Sequence, residues 1–240
     1  MLTGIYSAAS ALRTSELQQD VISTNLAHMN VPGYRRTMTT NATFDEELQA
    51  QMADEPGYGH LLDTLANDFT LGPMQSTGRA LDLAIAGDGF FAVQGADETL
   101  FTRNGVLHIG SDGQLVGSHG MPMLGENGPI SIPTDITEAQ LTITPDGQIV
   151  AGDRNLGQLR LVQFEDNSLL RQVGTTLFSG TLANQRQADV TVQQGMREQS
   201  NVAPVDEMVE MILAMRYYEA AQRTLKTIDD AVQQQTTPEG

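Results

Sequence analysis

Apolar residues recur every three or four positions at the start of the chain, which is the spacing of an amphipathic helix. The repeating positions are Leu2, Ile5, Ala9 and Leu12, followed by Leu17, Val21, Ile22 and Leu26. Residues 1–35 are therefore predicted to form an N-terminal helical segment. The helix is expected to end at Val31-Pro32-Gly33, because proline biases the preceding residue away from helical backbone angles and glycine admits a turn.

Residues 200–240 carry a longer apolar repeat. Its members step by three or four positions with one shift of phase, and they are Val205, Met208, Ile212, Met215, Tyr218, Ala221, Leu225, Ile228 and Val232. This heptad-like stripe predicts a second long helix. Pro204 suits the first helical turn, Asp206 and Glu207 favour its positive end, and the last residues are expected to be frayed.

Residues 76–199 change to short apolar runs separated by glycine. Leu81, Leu83 and Ile85 alternate with Asp82, Ala84 and Ala86, which predicts a half-buried strand. Further candidate strands are 90–93, 100–102, 106–109, 114–116, 141–144, 148–150, 159–164 and 190–192. The Asp-Gly pairs at 88–89, 112–113 and 146–147 suit tight hairpin turns, since both residue types tolerate positive φ. We therefore predict a mixed fold, with a central all-β antiparallel domain between two terminal α-helices.

Residues 36–75 hold seven acidic residues and one basic residue, Arg36. We interpret this stretch as an acidic, partly extended connector between the first helix and the β domain. Within it, Phe44–Met52 is a candidate for a short amphipathic helix.

Charge and composition exclude several classes of protein. Thirteen Lys and Arg against 30 Asp and Glu give a net charge of −17, the wrong sign for binding nucleic acid or anionic lipid. The chain has no cysteine, which excludes disulfides and thiolate metal sites. It also has no run of about 18 apolar residues and no basic–apolar leader of the Sec type, so neither membrane insertion nor a cleavable signal peptide is expected.

Candidate catalytic patterns are weak. Gly87-Asp88-Gly89-Phe90-Phe91-Ala92 has the outline of a dinucleotide fingerprint, but strand-forming residues follow where a helix is needed, so a hairpin turn is favoured. The four histidines are scattered without metal-ligand spacing, and Ser118-His119 lacks the order of a nucleophile elbow. We therefore expect no enzyme activity, no cofactor and no metal site.

Packing the two terminal helices against the β domain, as part of an ordinary hydrophobic core, does not readily explain their apolar repeats. Burying one row of large side chains along a helix stabilises the folded state by roughly 1.5–3 kcal/mol for each side chain. Ordering the backbone costs about 1–2 kcal/mol for every residue of the helix, buried or not, so the burial barely offsets the cost. Packing against identical neighbours adds contacts on several sides. We therefore hypothesise that the two helices pair as a coiled coil and order fully only on self-assembly.

Three sequence motifs follow one another along nearly the whole chain. The first contains Asn25-Leu26-Ala27-His28 and Val31-Pro32-Gly33-Tyr34-Arg35. The second is 81–93, followed by Phe101-Thr102-Arg103-Asn104-Gly105. The third comprises Ser200-Asn201-Val202, 207–212 and 216–219. Together these motifs resemble the flagellar hook–basal body rod protein family, and three motifs at the family's spacings are far more specific than any one of them.

The resemblance implies a structural subunit of the axial rod of the bacterial flagellar basal body. It further implies export by the flagellar type III apparatus, terminal helices that line the export channel, and an outer β domain. The implied partners are the chain itself, other rod and hook subunits and the export apparatus, with the surrounding ring proteins as further candidates. The short 36–75 stretch favours the proximal rod; the alternatives are a distal-rod subunit and a secreted β-rich fibre or adhesin module.

The resemblance and the apolar repeats together single out two sets of residues. The predicted helical assembly interface comprises Leu2, Ile5, Leu12, Val21, Asn25, Leu26, Asn201, Val205, Met208, Ile212, Met215, Tyr218, Leu225 and Ile228. The predicted structural turns are Pro32, Gly33, Gly87, Gly89 and Gly105.

Overall fold

The computed structural model describes residues 2–40, 64–180, 185–188 and 190–236. This part of the chain is mainly β-structure with one long helix near each end, which confirms the predicted fold class at this level. The helices are α1 (Leu2–His28) and α2 (Pro204–Thr236). Most of the predicted connector, including Phe44–Met52, lies outside the described residues.

The strands are short and follow one another closely between the helices. In chain order they are β1 (Thr37–Thr40), β2 (Thr64–Asn67), β3 (Met74–Ser76), β4 (Leu83–Ala86), β5 (Phe90–Gln94), β6 (Thr99–Thr102), β7 (Leu107–Ile109), β8 (Leu115–Gly117), β9 (Leu124–Gly125), β10 (Gly128–Pro129), β11 (Leu141–Ile143), β12 (Gln148–Ala151), β13 (Arg154–Gln158), β14 (Leu161–Phe164), β15 (Arg171–Gln172), β16 (Leu177–Ser179), β17 (Gln185–Gln187), β18 (Thr191–Gln194) and β19 (Met196–Glu198).

The chain forms two compact units. The first comprises Met1–Ala27, Thr37–Asp68 and Val202–Gly240, and the second comprises His28–Arg36 and Phe69–Asn201. The first unit contains both helices together with an antiparallel pair of strands, β1 and β2, which are joined from Thr37–Asn67 to Thr40–Thr64. Within the described helices, none has the length and apolar character needed to cross a membrane.

The second unit is built around a six-stranded antiparallel sheet with the order β15-β16-β6-β5-β14-β17. Smaller antiparallel pairings surround it: β7 with β8, β9 with β10, β11 with β12 and β13, β4 with β18, and β3 with β19. Strands far apart in sequence therefore meet in β4–β18 and β3–β19, and these pairings bring the end of the β region back to its beginning.

Both faces of the six-stranded sheet are buried. Alternate residues of β5 point to opposite sides, so Phe91 and Val93 join one apolar cluster while Phe90 and Ala92 join the other. The second cluster is rich in phenylalanine. The ring centroids of Phe101 and Phe164 are 4.9 Å apart at an interplanar angle of 82°, an edge-to-face contact that adds to simple burial.

Two expectations about the first strands of this unit were wrong. The strand at 81–86 is not half-buried: Asp82, on its predicted polar face, is only 4% exposed and pairs with Arg79, 3.1 Å away. The Asp88-Gly89 pair is not a hairpin turn either, because β4 pairs with β18 whereas β5 pairs with β6 and β14. It is a connection between two sheets. Both faces of β4 are covered, since the consecutive residues Leu83, Ala84 and Ile85 are all buried.

The other two Asp-Gly pairs are hairpin turns, as predicted. Asp112-Gly113 joins β7 to β8, and Asp146-Gly147 joins β11 to β12. Gly113 has a φ of +77° and Gly147 a φ of +79°, values at which a side chain would strain the backbone.

Candidate assembly interface

One face of α2 is buried within the structure. Glu207, Ala214 and Ala221 are buried at intervals of seven residues, and half-buried side chains lie between and after them. We call this set the α2 seam: Glu207, Met211, Ala214, Tyr218, Ala221, Leu225 and Ile228. Its alternating steps of four and three are those of one face of a paired helix.

A second face of α2 is apolar but exposed. Val205 is 68% exposed and Ile212 is 48% exposed, and the whole set, called here the α2 exposed face, is Val205, Met208, Val209, Ile212, Leu213, Met215 and Tyr217. These large apolar side chains cover the sides of α2 that the seam leaves open over three helical turns. Exposed apolar surface of this extent is typical of a protein–protein contact.

The phase shift in the predicted apolar stripe is a change of face. Val205, Met208, Ile212 and Met215 belong to the exposed face, whereas Tyr218, Leu225 and Ile228 belong to the seam. Met208, Ile212 and Met215 each follow a seam residue by one position, which rotates them by about 100° around the helix axis. The single stripe read from the sequence is therefore two stripes on different sides of α2.

The buried face of α1 has the same seven-residue interval. Ala8, Ser15 and Ile22 are buried, as are Val21 and Asn25. Two further predicted interface residues, Leu12 and Leu26, are half-buried. Leu2 and Ile5 lie in α1, with side chains outside the described part of the structure.

Asn25 joins three elements of the first unit. Its Oδ1 accepts a hydrogen bond from the Thr37 backbone N–H at 3.0 Å, and its Nδ2 donates to the Thr37 carbonyl oxygen at 2.9 Å. The same Nδ2 donates to Glu207 Oε2 at 3.2 Å. Asn25 and Glu207 are each 1% exposed, so α1, the start of β1 and α2 meet at a buried polar point.

The second unit contains a buried cluster of charges, formed by Arg35, Arg103 and Glu198 and called here the ion cluster. Arg35 Nη2 lies 2.6 Å from Glu198 Oε1, and Arg103 Nη1 lies 3.5 Å from Glu198 Oε2. Arg35 Nη1 also donates to the Thr70 carbonyl at 3.0 Å, while the Gly72 N–H donates to Glu198 Oε1 at 3.1 Å. One carboxylate thus ties together four separate stretches of the chain.

Burial makes the second arginine of this cluster costly to keep charged. Desolvation by burial is the main cause that lowers the pKa of Arg103 to about 10, and the nearby positive charge of Arg35 lowers it further. The negative charges of Glu198 and Asp88 act in the opposite direction and raise the pKa. The guanidinium carbon also lies 5.1 Å from the centre of the Phe90 ring. Arg103 remains a cation at neutral pH, so Glu198 faces two positive charges.

Two of the predicted turn glycines pack against backbone in the second unit. Gly33 has a φ of +68°, its N–H donates to the Glu198 carbonyl at 3.0 Å, and a Cβ on it would lie 2.5 Å from the Asn104 nitrogen. A Cβ on Gly105 would overlap the Leu83 carbonyl oxygen. These positions have no room for a side chain.

The remaining predicted residues are three turn residues and Asn201 of the predicted interface. Gly89 is buried beside Ala188, whereas Gly87 is exposed with a φ of +111° and Pro32 is half-buried. Asn201 lies before the first turn of α2, where its Oδ1 accepts from the Arg36 N–H at 2.7 Å and its Nδ2 donates to the Thr70 carbonyl at 3.2 Å. Asn201 thus borders the ion cluster of the second unit.

The described residues contain no group of three or more histidine, aspartate or glutamate side chains placed to hold a metal ion. Ser118 Oγ lies 3.3 Å from His119 Nδ1 and accepts a hydrogen bond from Asn104 Nδ2 at 2.8 Å. Partial burial lowers the pKa of His119. The pair is bonded to an amide rather than to a carboxylate that could orient the imidazole as a base.

Comparison with known proteins finds matches to described families in three segments of the chain. Residues 5–35 match the family described as flagella basal body rod protein, residues 84–151 match the flagellar hook protein FlgE/F/G D1 domain, and residues 193–237 match the C-terminal region of flagellar basal body rod FlgEFG proteins. The flagellar basal-body rod protein FlgG of Bacillus subtilis is 31% identical over 260 residues, covering 98% of both chains. The chain belongs to the flagellar basal-body rod protein family.

Other members of the rod protein family show similar likeness. FlgF of Escherichia coli is 34% identical over 250 residues, which cover 94% of this rod protein and 94% of that one. FlgF of Caulobacter vibrioides is 31% identical over 228 residues, covering 94% and 93%. This rod protein is accordingly a structural component of the flagellum that assembles with other rod and hook subunits, and it is not an enzyme.

Each matched segment of the rod protein contributes one member of the ion cluster. Arg35 lies in the first matched segment, Arg103 in the second and Glu198 in the third. The sequence motifs contain both Arg35 and Arg103 but indicate no role for them, and Glu198 lies outside the motifs. An arginine two residues from a glycine in each of two motifs was the available signal. A buried acidic partner 163 residues from Arg35 has no local pattern.

Proposed function

We propose that this rod protein assembles into the axial rod through α1 and α2, with the α2 seam closing against α1 and the α2 exposed face contacting neighbouring subunits. The α2 exposed face carries the proposal, because seven large apolar side chains stay accessible in the single chain. A patch of this kind is costly in water unless a partner covers it.

The proposed helix pair is antiparallel. Asn25 lies near the end of α1 and Glu207 near the start of α2, and the two are hydrogen-bonded. Continuing both helices away from this contact sets Ser15 against Tyr218 and Ala8 against Leu225. The small buried residues Ala214 and Ala221 on α2 suit a close approach of the two helices, at the short end of the usual 8–10 Å range of axis separations.

Cysteine trapping tests this pairing, because the chain has no cysteine of its own. In the double variant Ser15→Cys/Tyr218→Cys, mild oxidation is expected to give an intrachain disulfide. The matched control is Glu16→Cys/Tyr218→Cys, in which the first cysteine replaces an exposed neighbour of Ser15. Equal trapping in the two variants would contradict the antiparallel seam.

Position, export and further partners complete the proposal. The short 36–75 stretch supports a place in the proximal rod, and membership of the rod protein family supports export by the flagellar type III apparatus without a cleaved signal. The export apparatus and the ring proteins are the proposed additional partners. Quantitative mass spectrometry of purified hook–basal bodies tests the position: a few copies support the proximal rod, whereas many copies indicate the distal rod.

A further inference from the structure

Two methionines lie in the middle of the α2 exposed face. Met208 is 50% exposed and Met215 is 44% exposed. Together with Ile212 they follow one line along α2, because steps of four and three residues return to the same side of a helix. The surface proposed to contact a neighbouring subunit therefore carries a thioether sulfur on each side of Ile212.

The composition of the chain makes methionine its readily oxidised residue. The chain has no cysteine, whose thiolate would otherwise be the usual first target of a peroxide. Among the described residues, Met29 is the only other exposed methionine, with 36% of its surface accessible, whereas Met123 is fully buried. Because accessible sulfurs react before buried ones, an oxidant that meets the unassembled chain attacks Met208 and Met215 early.

Oxidation converts the thioether of a methionine into a sulfoxide. The lone pair of the sulfur attacks one oxygen of hydrogen peroxide, and the O–O bond breaks. The departing hydroxide takes the proton of the transferred oxygen and leaves as water, so the sulfur loses the two electrons that the peroxide gains. A methionine sulfoxide reductase supplied with a thiol reductant reverses the change: two thiols become a disulfide, and the oxygen leaves as water.

The sulfoxide has different consequences in the free and in the assembled chain. In the free chain its oxygen accepts hydrogen bonds from water, so the fold is not affected. When a neighbouring subunit covers the face, the oxygen loses that water, and the apolar side chains beside it on α2, Val209, Ile212 and Leu213, offer no hydrogen-bond donor. A polar oxygen buried without a donor opposes the contact.

We propose that Met208 and Met215 are sites of reversible oxidation, and that their sulfoxides block assembly of this rod protein. The proposal rests on the proposed function, in which the α2 exposed face contacts neighbouring subunits. The modification acts before assembly, because the contact that the sulfoxide prevents covers both sulfurs once it has formed. Oxidised chains are thereby kept out of the rod, and assembled chains are protected from the oxidant.

Peptide mass spectrometry after treatment with hydrogen peroxide tests modification and protection. In the purified full chain, the sulfoxide fraction at Met208 and Met215 is expected to rise well above that at Met123. In purified hook–basal bodies treated in the same way, it is expected to fall to the level of Met123 in the free chain. Little oxidation of Met208 and Met215 in the free chain would overturn the proposal. Equal oxidation in free and assembled protein would reject the α2 exposed face as the contact, and the proposal with it.

Glutamine substitutions test whether a polar group at these positions prevents assembly. Cells whose only copy carries Met208→Gln/Met215→Gln are expected to be non-motile, with basal bodies that lack the protein, because the amides would be buried without partners. The circular dichroism spectrum of the purified variant is expected to be unchanged. One matched control, Met29→Gln, makes the same change at an exposed methionine outside α2, and the other, Met208→Leu/Met215→Leu, keeps the face apolar. Both control strains are expected to be motile.

The leucine variant also tests oxidation itself. Cells are induced to build new basal bodies in hydrogen peroxide, at a dose that leaves growth unchanged. The amount of the protein in each basal body is expected to fall for the unchanged chain and to be maintained for Met208→Leu/Met215→Leu. An equal fall for both chains would overturn the proposal, as would motile Met208→Gln/Met215→Gln cells when Ile212→Asp still abolishes motility. Motility of the Ile212→Asp cells as well would instead reject the proposed assembly face.

Discussion

The guanidinium of Arg35 lies 2.6 Å from the carboxylate of Glu198, and both side chains are buried although the residues are 163 positions apart in the chain. Arg35 comes from the stretch that follows α1, and Glu198 from the last strand before α2. The contact therefore joins the two segments of the second unit, His28–Arg36 and Phe69–Asn201, near the C-terminal end of each. Arg103 adds a second positive charge to the same carboxylate.

Glu198→Gln is expected to destabilise the second unit strongly. The glutamine keeps an oxygen for the Gly72 N–H but leaves the buried Arg35 guanidinium without the charge of Glu198, and Arg103 keeps the exposed Asp88 carboxylate, 3.9 Å away, as a counter-charge. Removing one partner of a buried ion pair typically costs about 3–5 kcal/mol. Urea unfolding followed by the β-sheet circular dichroism signal measures this loss. The control is Glu165→Gln, which breaks the surface ion pair with Arg186 and is expected to cost less than about 1 kcal/mol. Similar losses in the two variants would show that the ion cluster adds nothing beyond an exposed pair.

Gly33→Ala tests the close contact beside the ion cluster. Gly33 and Gly78 have nearly the same φ, +68° and +70°, but a Cβ on Gly78 meets nothing within 4 Å. Gly78→Ala should therefore cost only the left-handed backbone strain, about 1–2 kcal/mol. Gly33→Ala adds a clash with the backbone of Arg103 and Asn104, so its loss in unfolding free energy should clearly exceed that of the control. A loss no larger than that of Gly78→Ala would mean that this backbone moves aside freely.

Features of this structure that depend on neighbouring residues in the sequence were predictable, whereas those that depend on residues far apart in the sequence were not. The short run of strand-forming apolar residues Phe90-Phe91-Ala92-Val93 predicted β5 correctly, because the tendency to form a strand is visible in neighbouring residues of the sequence. Strands β13 and β17 were missed because Arg154–Gln158 and Gln185–Gln187 are largely polar and lack any apolar alternation. The pairing of β4 with β18 likewise depends on residues about a hundred positions apart.

The candidate assembly interface shows the same limit. The apolar repeat of α2 was visible, but its division between a buried seam and an exposed face needed the structure, since Met208 and Met211 are equally apolar in sequence. Glu207 was assigned to the positive end of the helix, a local effect. Its contact with Asn25 joins residues 182 positions apart, and no local pattern indicates it.

Phe101→Ala tests the phenylalanine-rich cluster of the six-stranded sheet. Phe101 is fully buried and packs edge-to-face on Phe164, so truncation removes apolar contact and leaves a cavity, at a cost of about 3–5 kcal/mol. Thermal unfolding followed by circular dichroism is expected to show a clearly lower midpoint than for the unchanged chain. The control is Val173→Ala, which truncates an exposed apolar side chain in the same unit. Equal midpoints for the two variants would show that the cluster relaxes to fill the space.

Ile212→Asp tests the α2 exposed face in the cell. Ile212 lies in the middle of that face and contributes little to the buried side of the helix, so the variant is expected to fold with an unchanged β-sheet circular dichroism spectrum. A carboxylate there would have to be buried without a partner when a neighbouring subunit packs against it, which disfavours assembly. Cells whose only copy carries Ile212→Asp should therefore be non-motile, and their purified basal bodies should lack the protein. The control, Gln222→Asp, introduces the same charge at an exposed polar position of α2, and motility should be retained. Normal motility of the Ile212→Asp cells would show that rod assembly does not use this face.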